Sequence, residues 1–327
     1  MRPDPAPELG NAGRNCWCGG PKFLPVTEDY VECEHCRTAL LRSELPSVWG
    51  DVKDVNSDFY SETYWFAYQE KLGHPSIIER ARLDLSERCM YWLGYLLKFL
   101  TPPARVLEVG CAHGAFLFSC KTAGYEVLGI EMSPFVVNFA ETTFGVQVLL
   151  GPVEQHGLPP ASFDAVIMMD VLEHLSAPLT TMAHLHTLLK DDGICVIQTP
   201  HYEPGRPADW SQFKPLEHLY LFTKPSLTSL LKKVGFLNVR FLEPFNGETY
   251  DIYCVAGKGE VHELSNKEVE AALLKTPGGR LVLAMQDLYW RRPPVTPSTV
   301  REAWGQLLPS LKRSIACRWK NRWRNRK

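Results

Sequence analysis

The sequence predicts an α/β domain with a doubly wound, seven-stranded, mostly parallel sheet. Short apolar runs alternate with stretches of helical periodicity between residues 76 and 259. The links between successive runs are long enough for the crossover helices that parallel strands require. A glycine-bearing turn, Gly110-Cys-Ala-His-Gly114, follows the first run, where open α/β sheets hold their ligands.

The elements follow in order. Residues 76–100 place Ile77, Ala81, Leu85, Met90, Leu93, Leu96 and Leu97 at helical spacing and stop before Pro102-Pro103. Residues 105–109 read as a buried strand and 115–123 as a helix. A second strand, 126–130, ends in Glu131. Residues 134–144 form the next helix, opened by Ser133 and Pro134. The third and fourth strands are 146–149 and 163–169, the latter ending at Asp170. A helix over 179–189 leads to a fifth strand, 193–198. After a helix at 226–234, residues 239–242 and 252–256 read as a hairpin closing the sheet edge. Residues 266–274 and 280–290 have helical patterns.

Ahead of this domain, Cys16-Trp-Cys18-Gly-Gly and Cys33-Glu-His-Cys36 form two close pairs. Thiolates so spaced can close a tetrahedron around zinc, each pair on a tight knuckle for which Gly19 and Gly20 supply unusual dihedrals. The first pair is C-x-C rather than C-x-x-C, and His35 could replace one thiolate. Four protein ligands leave no open position, so the expected zinc is structural. Residues 46–75 are rich in aromatics, among them Trp49, Phe59, Tyr60, Tyr64, Trp65, Phe66 and Tyr68. They read as a linker or lid, either lining a pocket for a ring or fixing the arm to the domain. The expected organisation is a zinc-binding arm (1–45), this linker (46–75), the α/β domain (76–259) and a helical extension (260–327).

The composition is 45% hydrophobic and 22% charged, which excludes wholesale disorder. The net charge of -2 is unevenly placed. Residues 312–327 hold Lys312, Arg313, Arg318, Lys320, Arg322, Arg324, Arg326 and Lys327 without an acid; the remaining 27 basic groups face 37 acids, leaving the body near -10. No run reaches the roughly eighteen apolar residues of a membrane span, and MRPDPAPELG has no apolar signal core. The expected compartment is therefore the cytoplasm, where thiols stay reduced.

Glu108, Gly110 and Gly114 surround the first turn, and Glu131 ends the second strand about 20 residues further on, where a carboxylate can accept from ribose hydroxyls. A nicotinamide site shares the glycines and the downstream acid. Glu108 discriminates, because an anion beside the turn repels a pyrophosphate and suits an ammonium or a sulfonium.

The set VLEVGCAHG, VLGIEMS, SFDAVIMMDVLEHL and LLKDDGICVIQTP resembles the class I S-adenosylmethionine-dependent methyltransferases over residues 76–257. The resemblance implies their Rossmann-like fold and their cofactor. It places Glu108, Gly110, Ala112 and Gly114 around the methionine part, Glu131 at the ribose, and Met132, Val153 and Glu154 near the adenine. Asp170 and His174 would border the methyl-transfer cleft. Ala112 stands where many members have glycine. With the cysteine arm, the order is similar to bacterial methyltransferases of deoxysugar and polysaccharide pathways, which implies a sugar or glycoconjugate acceptor methylated on oxygen or carbon. In the carbon-methylating subgroup a Glu-His pair moves the proton, and Glu217-His218 matches it. His201 and His174 also follow strand ends and are further candidate bases.

Leu307, Leu311, Ile315, Trp319 and Trp323 recur every four residues between the tail's basic groups. Such a helix suits an anionic membrane surface or the protein's own acidic body, and both readings stay open. Nucleic acid is disfavoured by the acidic body. A non-catalytic binding protein of the same fold is disfavoured by the intact Glu108 and Glu131.

Overall fold

The computed structural model describes residues 15–42, 75–215, 217–244 and 250–290. The aromatic linker and the basic tail, with the readings made of them, lie outside the described residues. The chain divides into a unit of residues 1–286 and a second of 287–327. Everything below concerns the first.

Its centre is a seven-stranded sheet. In chain order the strands are β4 (Arg105–Val109), β5 (Glu126–Glu131), β6 (Val148–Leu150), β7 (Phe163–Met169), β8 (Leu189–Pro200), β10 (Asn238–Leu242) and β11 (Asp251–Gly257). In space they run β10-β11-β8-β7-β4-β5-β6. β11 alone runs against the direction of the other six strands. This is the Rossmann-like methyltransferase fold, with the last strand inserted between the fifth and sixth. The order reverses between β4 and β7, and the crevice above their carboxyl ends is where such sheets hold ligands. β4 and β7 are buried almost throughout, as strands covered by helices on both faces must be.

Beyond shifts of one or two residues at element ends, two elements differ from the expectation. The first predicted helix is two, Ile77–Ser86 and Arg88–Leu97. They break at Glu87, whose φ of -123° and ψ of -84° are not helical, and apolar spacing continues across the break. The fifth strand begins at Leu189 rather than Gly193, carrying an irregular register against Phe163 and Ala165.

The cysteine arm is less separate than its composition implies. β1 (Phe23–Pro25), β2 (Tyr30–Cys33) and β3 (Ala39–Leu41) form an antiparallel sheet whose fourth strand, β9 (Tyr220–Leu221), comes from the main domain. Tyr30, Leu40 and Leu41 share one apolar core with Tyr202, Leu219 and Phe222. Glu32 accepts a hydrogen bond from Tyr202 Oη at 2.7 Å and pairs with Arg37 at 2.8 Å. The small arm thus borrows a core that it cannot bury alone.

Candidate functional site

The turn after β4 is held in a conformation that only a few residue types adopt without strain. Gly110 and Gly114 have φ of 70° and 79°, and Ala112 between them has φ of 45°. A Cβ on Gly110 would lie 2.5 Å from Val171 Cγ2, and one on Gly114 would lie 2.7 Å from Ala140 Cβ. His113 anchors the turn. Its Nδ1 accepts from Ala115 N at 3.3 Å, leaving Nε2 to donate to Asp84 at 2.8 Å. Asp84 and His113 escaped the sequence reading; a lone His inside a glycine turn was the only available signal.

Glu131 ends β5 beside this turn. Oε1 accepts from the amides of Met132 (2.8 Å) and Ser133 (3.0 Å), and Oε2 accepts from Ala112 (3.0 Å). A carboxylate offers about four lone-pair sites. One therefore remains, so accepting from both ribose hydroxyls as expected requires release of an amide. Glu108 lies inside β4 at 3% exposure, and its Oε2 meets no hydrogen-bond partner among the described residues. Burial, reinforced by the Glu131 charge, pushes the Glu108 carboxyl well above its ordinary pKa. An unpartnered buried acceptor beside a glycine turn fits a ligand that brings a cationic donor.

Met132 is half-buried at the end of β5. Val153 is buried on a turn after β6, and neighbouring Glu154 accepts from Thr181 at 2.6 Å, which draws its carboxylate toward the helix Pro178–Leu188. Asp170, at the end of β7 with φ of 57°, forms an ion pair with Arg88 and accepts from Gln198 Nε2 at 3.1 Å. Gln198 also donates to Asp251 at 2.9 Å, and burial with the Asp170 charge pushes Asp251 up to about 6. Arg88 stacks on Trp92 at 4.6 Å. Arg88, Gln198 and Asp251 come from distant segments, and nothing in the sequence joined them.

The candidate bases separate into two places. His174 and His218 have ring centroids 5.0 Å apart. Each uses Nδ1 toward a backbone carbonyl, His174 to Glu217 at 2.7 Å and His218 to Gln212 at 2.8 Å. Carbonyls only accept, so both Nδ1 atoms carry hydrogens and both neutral rings have an open Nε2. Burial lowers the pKa of both, and the His174 ring and Lys214 lower that of His218 further. Glu173 stands against them, with Oε1 3.8 Å from His174 Nε2 and Oε2 accepting from Thr199 at 2.9 Å. The sequence reading quoted Glu173 within its motif without giving it a role. Glu217 contributes its backbone carbonyl to this group. His201 is elsewhere, lining an open depression with Arg37, Tyr202 and Lys224, and neither His174 nor His218 lines that depression.

The four arm sulfurs converge. Cys16 and Cys36 Sγ are 3.5 Å apart and Cys18 and Cys33 Sγ 3.6 Å apart, with all four ligand atoms within 4.8 Å of one another. A tetrahedron with Zn–S bonds of about 2.3 Å needs sulfurs about 3.8 Å apart. Only Gly19 of the glycine pair has positive φ, at 84°. Gly20 is needed for room instead: a Cβ there would sit 2.8 Å from Cys33 Sγ. A hydrogen bond from Cys16 lowers the Cys36 thiol to about 5, and burial raises Cys18 to about 11. The donor set fits a structural zinc.

Residues 81–240, just under half the chain, match a family described as a methyltransferase domain. A probable S-adenosylmethionine-dependent methyltransferase of Mycobacterium tuberculosis is 28% identical over 197 residues, 58% of this chain and 62% of that protein. A ubiquinone biosynthesis O-methyltransferase of Xanthomonas campestris is 34% identical over 110 residues, 32% of this chain and 46% of that protein. The chain thus spans less than two thirds of the curated relatives it matches. A solved S-adenosylmethionine-dependent methyltransferase from Archaeoglobus fulgidus is 21% identical, with a TM-score of 0.47 over 59% of this chain and 99% of that one.

Proposed function

We propose that this chain is an S-adenosylmethionine-dependent methyltransferase acting on a small, sugar-like acceptor at the carboxyl ends of β4 and β7. The observation that carries the reading is Glu108, a buried carboxylate with an unpartnered oxygen beside the Gly110–Gly114 turn. When bound, S-adenosylmethionine supplies a methyl carbon already activated by its sulfonium. Glu108 would meet the cationic methionine part, and the free site on Glu131 would take one ribose hydroxyl. Met132 and Val153 would flank the adenine, with Glu154 at the rim. Asp170, fixed by Arg88 and Gln198, would border the acceptor.

An acceptor hydroxyl or carbon acid must lose a proton while its nucleophilic atom is held in line with the methyl group. The open Nε2 atom of His174 or His218 would take that proton. Low pKa values keep both rings unprotonated at neutral pH. We assign His218 the first role, with Glu217 supplying the carbonyl that fixes the His174 tautomer. His201 would contact the acceptor only from the separate depression. A phenolic acceptor is the second reading, favoured by the Xanthomonas relatives, whose name specifies O-methylation in ubiquinone biosynthesis.

The arm would hold a structural zinc on Cys16, Cys18, Cys33 and Cys36. Calorimetric titration with S-adenosylmethionine tests the main reading, and absence of binding would overturn it. A nucleotide-sugar panel compared with phenols, read by mass for one added methyl, separates the two acceptor classes.

A further inference from the structure

The cluster at the acceptor end contains more acceptors than donors. One ring nitrogen each of His174 and His218 and a Glu173 carboxylate oxygen lie within 4.8 Å of one another. The two Nδ1–H groups are committed to the carbonyls of Glu217 and Gln212. Glu173 Oε2 is committed to Thr199, while Oε1 faces His174 Nε2 at 3.8 Å. Three potential ligand atoms from two separate segments therefore converge on one point, an arrangement that a cation can join.

The supports are those of a metal ligand set. A ligating histidine typically binds through one nitrogen while the other donates to a carbonyl or carboxylate, fixing tautomer and ring orientation. Both histidines are already so fixed. Glu173 is 1% exposed and His218 4% exposed, so neither side chain is free to turn toward solvent. Two elements frame the cluster: the turn Leu172–His174 after β7 and the segment before β9. They are joined by Leu219 N donating to Glu173 O at 2.8 Å.

We propose that Glu173, His174 and His218 form a second metal site, distinct from the cysteine arm, for a divalent first-row transition cation. Two imidazoles and a carboxylate suit Mn²⁺, Fe²⁺, Co²⁺ or Zn²⁺ and leave coordination positions open. With metal–ligand bonds of about 2.1 Å, neighbouring donors stand roughly 3.0–3.4 Å apart, so the cluster closes by about an ångström on binding. The turn Leu172–His174 follows the carboxyl end of β7, the end at which the acceptor would bind. A hydroxyl coordinated there would ionise more readily, its proton passing to solvent, and neither ring would then need to act as a base. That use rests on the methyltransferase reading; occupancy of the site does not.

Mn²⁺ is the probe, because thiolates select softer ions and the cysteine arm stays silent. Loss of the free-ion electron paramagnetic resonance signal, titrated on the full chain carrying one zinc per chain, which the four thiolates take first, should show about one Mn²⁺ bound per chain. Glu173→Gln and His174→Asn should each weaken binding about tenfold or more. Electron spin-echo modulation on the unmutated protein should show coupling to imidazole ¹⁴N, a readout that survives even if the variants fail to fold. No binding, binding unchanged in the variants, or a spectrum lacking imidazole nitrogen would each overturn the site. S-adenosylmethionine calorimetry on Mn²⁺-free protein tests the methyltransferase reading separately.

Discussion

Glu108 should make cofactor affinity depend on pH. Its carboxyl is raised by burial and the Glu131 charge, so the empty protein tends to hold it protonated. A cationic ligand favours the ionised form and must expel that proton. Affinity should therefore rise with pH, by up to about tenfold per unit for one proton released, until pH passes the raised pKa. Calorimetry in buffers of different ionisation enthalpy would count the proton, and Glu108→Gln should flatten the slope to whatever Glu131 contributes. Glu131→Ala removes the acceptor of three amide hydrogen bonds as well as the ribose contact. Affinity should fall by ten- to about a hundredfold, the worth of a charged hydrogen bond of ~1.5–3 kcal/mol; unchanged affinity would refute the ribose assignment. Gly110→Ala must accept a positive φ and a 2.5 Å approach to Val171. It should lower the stability measured by urea unfolding by roughly 1–3 kcal/mol.

The arm is joined to the candidate site through two short strands. β3 pairs with β9, which follows Glu217 and His218 directly, and Tyr30 Oη donates to the His218 carbonyl at 2.8 Å. Substituting Cys33→Ser, which takes one thiolate from the arm's site, should loosen β1–β3 and with them the backbone that carries His218. Methyl transfer should drop at least tenfold while S-adenosylmethionine affinity changes little, since β4 and β5 belong to the other sheet. If transfer and cofactor binding fell together, the coupling would run through the whole domain instead. Strand and helix types along residues 105–257 were legible in the sequence, because apolar runs and helical stripes have distinct periods. The break at Glu87 was not, since apolar spacing survives a single non-helical residue. Nor was the β3–β9 pairing. Two-residue β9 carries no periodicity, and partners about 180 residues apart leave no local signal.

At the scale of the molecule, buried histidines and buried acids pull stability in opposite directions with pH. The folded pKa values of His113, His174 and His218 are lowered, whereas the unfolded chain titrates near 6.5. Below that pH these three groups bind more protons when unfolded and weaken the fold, while the raised carboxyls of Glu108, Glu131, Glu173 and Asp251 hold protons in the folded state and oppose them. Urea midpoints measured between pH 8 and 5 isolate the histidine part by difference: relative to its own value at pH 8, His218→Gln should retain more stability at pH 5 than the unmutated protein. The glycine turn, its acids and the cysteine cluster could be read from spacing, because each is contiguous in sequence. The Glu173–His174–His218 grouping and the Arg88–Asp170–Gln198–Asp251 network could not, because only the tertiary fold assembles them. The shared sheet also sets an order of events during synthesis. β3 leaves the ribosome long before β9 exists, so four thiols and the unpaired edge of β3 must wait through most of translation for their partner. Zinc captured early would hold the arm folded through that interval, and a nascent chain short of zinc would expose reactive sulfur and an open strand edge together.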